Sequence, residues 1–229
     1  MRKRYSCVLF HVHDTILHQM PTMAERAERM LKEMGIAYTV EEAAQIAAYC
    51  EQQTGSQAHL CAGEGCDDLQ LAHKLAFHLS RLYPQKISTS AAARRLAEAS
   101  VSYTLMPDVW HVLTSLKCRG VRLGALCTGN RSLLYVLEQL ELTTAFDCVL
   151  TPEPTGSPFP EVKSIGSACA RCGAAPAETL YVGAHPVDVI RAHEAGADAA
   201  WIPSNLWFRL PDDSADYLLH DLKELLNIV

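Results

Sequence analysis

Residues 11 to 15 read His-Val-His-Asp-Thr and follow the apolar run Cys7 to Phe10. Two imidazoles, a carboxylate and a hydroxyl within five positions can exchange protons, ligate a metal or hold an anion. Three later stretches share this form, an apolar segment with a polar or Gly-containing tip: Val121 to Asn130 (VRLGALCTGN), Asp147 to Pro154 (DCVLTPEP) and Thr179 to Asp188 (TLYVGAHPVD). Buried parallel strands end this way when the carboxyl edge of the sheet carries the site. Imidazole binds Zn²⁺, Ni²⁺ or Cu²⁺ well, so His11, His13, His185 and Asp188 could form one mixed metal site at that edge. The plainer alternative is rings packed apart or bonded to backbone, with Asp188 capping a helix. Asp14 is expected to hold its loop by accepting backbone N–H groups.

The elements that must position these groups follow from periodicity. Residues 18 to 22 are turn-rich. From there to about residue 103 the pattern is helical, with no strand-like segment: Met23 to Met34, a helix opened by a Thr39–Glu42 capping box, one from Asp67-Asp68 to Tyr83, and one capped by Thr89 or Ser90. From Met106 helices alternate with short apolar strands. The helices run from Pro107 to Arg119, Arg131 to Leu140, Glu161 to Cys172 and Val187 to Ala195, with a last helix reaching Leu226. The strands are Val121 to Leu126, Cys148 to Leu150, Thr179 to Val182, Ala199 to Ile202 and Tyr217 to Leu219. Alternation of this kind means a parallel sheet covered on both faces. The expected architecture is an α/β, three-layer Rossmann-like core, residues 1–17 and 104–229, with an inserted helical cap, residues 18–103.

Composition narrows the function. The net charge of −6 gives no electrostatic reason for nucleic acid or an anionic membrane as partner. The basic start Arg2-Lys3-Arg4 precedes an apolar run too short for a leader, and no run is long enough to span a bilayer, so a cytoplasmic location is expected. Nine cysteines are many. Cys7, Cys127 and Cys148 fall within apolar strands, where Cys acts as a small hydrophobe. Cys169 and Cys172 form a C-x-x-C pair without a second pair at zinc-finger spacing, and Cys61 and Cys66 bracket a Gly-containing loop. Reduced thiols are the plain reading, and a structural metal or a redox role is the alternative. Trp201, Trp207 and Phe208 read as sheet-edge packing or a partner surface.

The four tips, in this order, resemble the motifs of the haloacid dehalogenase superfamily of phosphatase-type hydrolases. The resemblance covers nearly the whole chain, including a cap between the first two motifs. In the family the first strand ends Asp-x-Asp-x-Thr. The first Asp is the nucleophile that takes the phosphoryl group and helps bind Mg²⁺; the second is the general acid/base. Here those seats hold His11 and His13, while Thr15 matches. Thr128 matches the second motif, so Thr15, Thr128, Gly129 and Asn130 are implied to bind a phosphate-like ligand, aided by the following helix start. Ser157 occupies the seat of the third-motif Lys. Gly183-Ala184-His185-Pro186-Val187-Asp188 keeps only the second acid of the fourth motif, Gly-Asp-x-x-x-Asp.

Covalent carboxylate chemistry needs an ionised Asp, Mg²⁺ wants hard oxygen donors, and phosphoryl transfer needs cations. These losses are mutually consistent. Without Mg²⁺ and Lys, clustered carboxylates would repel, and His and Ala remove that repulsion. Two functional expectations follow. One is a non-catalytic pseudo-phosphatase that binds a small anionic or phosphorylated ligand, a protein partner or a second copy of itself, without a resident cofactor and without Mg²⁺. The other is an altered hydrolase with His11, His13 and Ser157 in the catalytic seats, His11 as phosphoryl acceptor, and Zn²⁺, Ni²⁺ or Cu²⁺ at the histidines.

Overall fold

The computed structural model describes residues 5–51, 53, 68–127, 132–151, 162–203 and 214–229. The chain divides into two compact units, residues 1–18 with 103–229 and residues 19–102.

The first unit is built on a six-stranded sheet. Its strands are β1 (Cys7–His11), β4 (Arg122–Leu126), β5 (Cys148–Leu150), β6 (Thr179–Gly183), β7 (Asp198–Trp201) and β8 (Tyr217–Leu218), in the order β5-β4-β1-β6-β7-β8. Every neighbouring pair is parallel. β1 is central and wholly buried, which is why it reads as a continuous apolar run rather than an alternating one.

Side-chain parity on β1 decides what meets what. Val8 and Phe10 enter one core with Val112, Leu113 and Leu116 of α5 (Val109–Cys118) and Leu133 and Leu137 of α6 (Ser132–Gln139). Cys7 and Leu9 enter the other, with Ile165, Ala168, Cys169 and Cys172 of α7 (Val162–Cys172) and Val189 and Ala192 of α8 (Pro186–Glu194). His11 shares the parity of Cys7 and Leu9, so the last side chain of β1 emerges on the α8 side. Tyr181 of β6 belongs to that same layer.

The layer also holds four buried thiols, Cys7, Cys148, Cys169 and Cys172. Cys172 lies 3.2 Å (Sγ to Sγ) from Cys148, not against its C-x-x-C neighbour Cys169, which contacts Thr179 Oγ1 at 3.5 Å. Gly124 lets these sulfurs close on the sheet, since a Cβ there would meet Leu9 and come within 3.0 Å of Cys148 Sγ. Seven described cysteines are free thiols, six of them buried. Burial pushes the Cys127 thiol up to about 12.

The second unit is helical: α1 (Met23–Glu33), α2 (Val40–Glu51), α3 (Asp68–Leu82) and α4 (Thr89–Glu98). Ala27, Leu31, Ile46, Leu75, Leu79 and Leu96 form its core. α1 opens on a capping box, Thr22 with Glu25, and the Thr39–Glu42 box is present ahead of α2. Arg26 is buried and bonds the carbonyls of Pro21 and Leu96 at 3.2 and 3.4 Å. Among the described residues no helix is long and apolar enough to cross a membrane.

Three expectations need correction. The region read as free of strands is bounded by β2 (Leu17–Met20) and β3 (Ser102–Leu105), which form a two-stranded sheet of their own. Four residues apiece with little apolar content give no period to detect. The cap of α4 is Ser88, without a side-chain hydrogen bond, rather than Thr89 or Ser90. The last helix is a 3-10 turn, Leu222–Asn227, capped by Asp221.

Candidate functional site

The carboxyl tips of β1 and β6 hold two histidine–aspartate groups. In the first, His11 Nδ1 lies 3.1 Å from Asp188 Oδ1 and 3.2 Å from Oδ2, with both residues buried. An ionised carboxylate only accepts, so Nδ1 carries the proton. Asp188 sits in the first turn of α8. Its Oδ2 also accepts from the backbone N–H of His185 at 2.9 Å, and its Oδ1 accepts from the Tyr181 hydroxyl at 3.3 Å. Burial pushes the Asp188 carboxyl up, but the His11 charge and hydrogen bond, the His185 charge and the His185 N–H outweigh it. The net shift is below the ordinary 3.8. Gly183 makes room for this carboxylate, because any Cβ there would run into Asp188.

The second group is built on the turn after β1. Ile16 and Leu17 both donate their N–H to the carbonyl of Val12. Asp14 donates its N–H to the Leu17 carbonyl and takes a left-handed conformation, φ +58. That conformation is uncommon for a residue with a Cβ, and Asp tolerates it better than most. The Asp14 carboxylate faces three imidazoles. His18 Nδ1 donates to Oδ1 at 3.1 Å, His185 Nε2 is 3.5 Å from Oδ2, and His13 Nδ1 is 3.9 Å from it. Burial raises the Asp14 carboxyl, yet the bonds from His18 and His185 and the nearby His13 hold it well below the usual carboxylate range. Burial lowers His185, but the Asp14 bond and the Asp188 and Asp14 charges more than compensate, and its pKa rises above 6.5.

The four residues read as one metal site are thus divided. His11 and Asp188 are engaged with each other. Among the described residues, His13, Asp14 and His185 alone bring donor atoms within 4.8 Å of one another. The His11 and His185 rings are 5.8 Å apart between centroids, and those of His13 and His185 are stacked at 6.4 Å. Asp14 does not serve the loop backbone as expected: its carboxylate is taken by imidazoles. Asp188 does cap, through the His185 N–H. Thr15 is buried, and its hydroxyl has no partner among the described residues. Ala184 is buried, and its carbonyl accepts from Trp201 Nε1 at 3.0 Å. Thr128, Gly129, Asn130 and Ser157 lie outside the described residues, as do Trp207, Phe208, Cys61 and Cys66.

Sequence reasoning missed His18 and Tyr181. The first had a signal, since His18 is four residues beyond Asp14 in a His-x-His-Asp-x-x-x-His run. Tyr181 had none, because an interior strand tyrosine reads as core.

Residues 8–202 match the family model described as haloacid dehalogenase-like hydrolase. The phosphoserine phosphatase of Thermus thermophilus is 32% identical over 139 residues, which are 58% of this chain and 56% of that protein. The chain therefore spans about half the length of that relative. The phosphoglycolate phosphatase of Mannheimia succiniciproducens is 23% identical over the full length of both chains. Among solved structures, the HAD-hydrolase YfnB of Bacillus subtilis, bound to magnesium, superposes with a TM-score of 0.73 at 21% identity over 99% of each chain. Family match, parallel sheet and shared fold agree: the chain belongs to the haloacid dehalogenase-like hydrolase family.

Proposed function

We propose that this chain is a pseudo-phosphatase. It keeps the scaffold for a small anionic ligand, and the Mg²⁺-dependent aspartyl chemistry is gone. The His11–Asp188 pair carries this reading. Imidazole stands in the nucleophile's seat, and the remaining acid of the fourth motif spends its oxygens on His11, Tyr181 and the His185 N–H.

The donor set does not fit Mg²⁺. This ion demands near-octahedral hard oxygen ligands and keeps its waters. The seats that would supply them hold two imidazoles and the buried methyl of Ala184. The relatives' names indicate the ligand class. Phosphoserine and phosphoglycolate are small phosphorylated carboxylic acids.

A second reading has one observation behind it. A buried Asp that fixes the tautomer of a histidine is how a nucleophilic or basic imidazole is oriented, and Asp188 does this to His11. A histidine-based hydrolase would use that dyad.

The deciding measurement is turnover of an aryl phosphate with Mg²⁺, Mn²⁺, Zn²⁺ or Ni²⁺. The native chain is compared with the combined revertant His11→Asp, His13→Asp, Ser157→Lys and Ala184→Asp. The expected result is no turnover by the native chain at any metal and Mg²⁺-dependent turnover by the revertant. Native turnover that disappears in His11→Ala would sink the pseudo-phosphatase and establish the dyad as catalytic.

A further inference from the structure

Asp14 is in an uncommon backbone state with three imidazoles around its carboxylate, and none of the chemistry above uses that arrangement. We propose that His13, Asp14 and His185 form a site for a divalent transition-metal ion of borderline softness, of which Zn²⁺ and Co²⁺ are the fitting examples. The site is separate from the His11–Asp188 pair and holds whether or not any hydrolysis survives.

Donor spacing is the first argument. Tetrahedral ligands at about 2.0–2.1 Å from Zn²⁺ stand roughly 3.3–3.4 Å from one another. Asp14 Oδ2 is 3.5 Å from His185 Nε2 and 3.9 Å from His13 Nδ1. All three donor atoms lie within 4.8 Å of one another, so the rings need only draw together on the carboxylate to close the set. The His13 side chain is 30% exposed.

Chemistry is the second. Two neutral imidazoles and one carboxylate suit Zn²⁺, Co²⁺, Ni²⁺ or Fe²⁺ and suit Mg²⁺ poorly. Three protein ligands leave at least one position for water or an anion, as in open metal sites. The position also differs from that expected of the family's Mg²⁺: His11 and Asp188, in two of its ligand seats, are excluded because each is the other's partner.

Outer-shell support is the third. His18 donates to the carboxylate oxygen that faces away from the other two rings, at 3.1 Å. That bond orients Asp14 as second-layer partners orient metal ligands. The turn that carries Asp14 is closed by the Asp14, Ile16 and Leu17 N–H bonds, and His185 is fixed at the start of α8. The ligands therefore rest on elements that already have their shape.

The test uses the full chain without an affinity tag, stripped with chelator and titrated with Co²⁺ alone. One equivalent is expected to give a visible ligand-field band without the ultraviolet band of thiolate ligation. Zn²⁺ should displace the Co²⁺ and Mg²⁺ should not. Asp14→Asn and His185→Gln should each abolish the band. His18→Ala should weaken affinity about 10- to 100-fold, and His193→Ala, at a separate surface pair with Asp216, should change nothing. His13→Ala, at the most exposed of the three ligands, carries the test if a variant loses its unfolding transition. Absence of a one-equivalent band in the native chain overturns the proposal. So does a thiolate band, displacement by equimolar Mg²⁺, or a band that survives Asp14→Asn and His13→Ala.

Discussion

The two histidine–aspartate groups differ in what surrounds their carboxylates. Asp188 is held by rigid parts of the fold: a backbone N–H of its own helix cap, a core tyrosine and a buried strand-end imidazole. Asp14 is held by side chains alone, two of them about a third exposed. A saturated buried pair behaves as architecture. A carboxylate facing three rings, two of them partly exposed, has capacity left for a ligand. The same pair of residue types thus gives a lock in one place and a receptor in the other, and the difference lies in the elements behind them.

The largest effect should come from breaking the lock. Asp188→Ala leaves His11 buried beside an empty acceptor and removes the α8 cap. Such a half-broken buried pair typically costs about 3–5 kcal/mol, readable as a lower urea midpoint with unchanged slope. Asp14→Ala, whose carboxylate side chain is 17% exposed against 1% for Asp188, should cost less. Equal losses would erase the distinction. Gly183→Ala tests the lock from the other side. Its new methyl collides with the Asp188 carboxylate, and overpacking of this kind costs about 1–3 kcal/mol. A neutral Gly183→Ala would mean that the carboxylate is not pinned.

The pH dependence separates Asp188 from His185 by sign. Asp188 has a folded pKa below its ordinary 3.8. Its contribution is fully present above that value and is lost as pH falls through the folded value. His185 has a folded pKa above its ordinary 6.5. Its contribution is fully present below pH 6.5 and is lost as pH rises through the folded value. Asp14 is depressed as well, so native stability should have an acid limb that Asp188→Asn shortens without removing, and an alkaline limb that His185→Gln shortens. Urea midpoints from pH 2 to 9 would show it. An acid limb untouched by Asp188→Asn, or an alkaline limb untouched by His185→Gln, would contradict the assignment of charges.

The sequence carried the core further than it carried the site. Unbroken apolar strands such as Cys7 to Phe10, spaced by helices with one apolar face, leave few topologies to choose from, and the observed parallel sheet is the expected one. β2 and β3 escaped because their pairing is with each other and their residues mix polar with apolar. At the site, the residue types were legible and the partners were not. Strand parity sends His11 toward α8. The left-handed turn at Asp14 sends its carboxylate toward His18, His13 and His185. Neither could be read from spacing alone, since a one-residue change in where a strand ends reverses which side chain faces the helix layer.

The smallest expected effect is also the most discriminating. At Asp14 the backbone sits at φ +58, which costs a residue with a Cβ roughly 1 kcal/mol and costs Gly almost nothing. Asp14→Gly relieves that strain, gives back part of the relief as extra freedom of the unfolded chain, and loses the contacts with the imidazoles. The relief offsets part of the loss, so the unfolding free energy should fall by less than in Asp188→Ala while one-equivalent Co²⁺ binding disappears. A residue that holds a strained conformation beside three imidazoles, and whose removal the fold survives, is kept for what it binds. If Asp14→Gly instead unfolds the chain as Asp188→Ala does, Asp14 is architecture too, and the contrast between the two groups is lost.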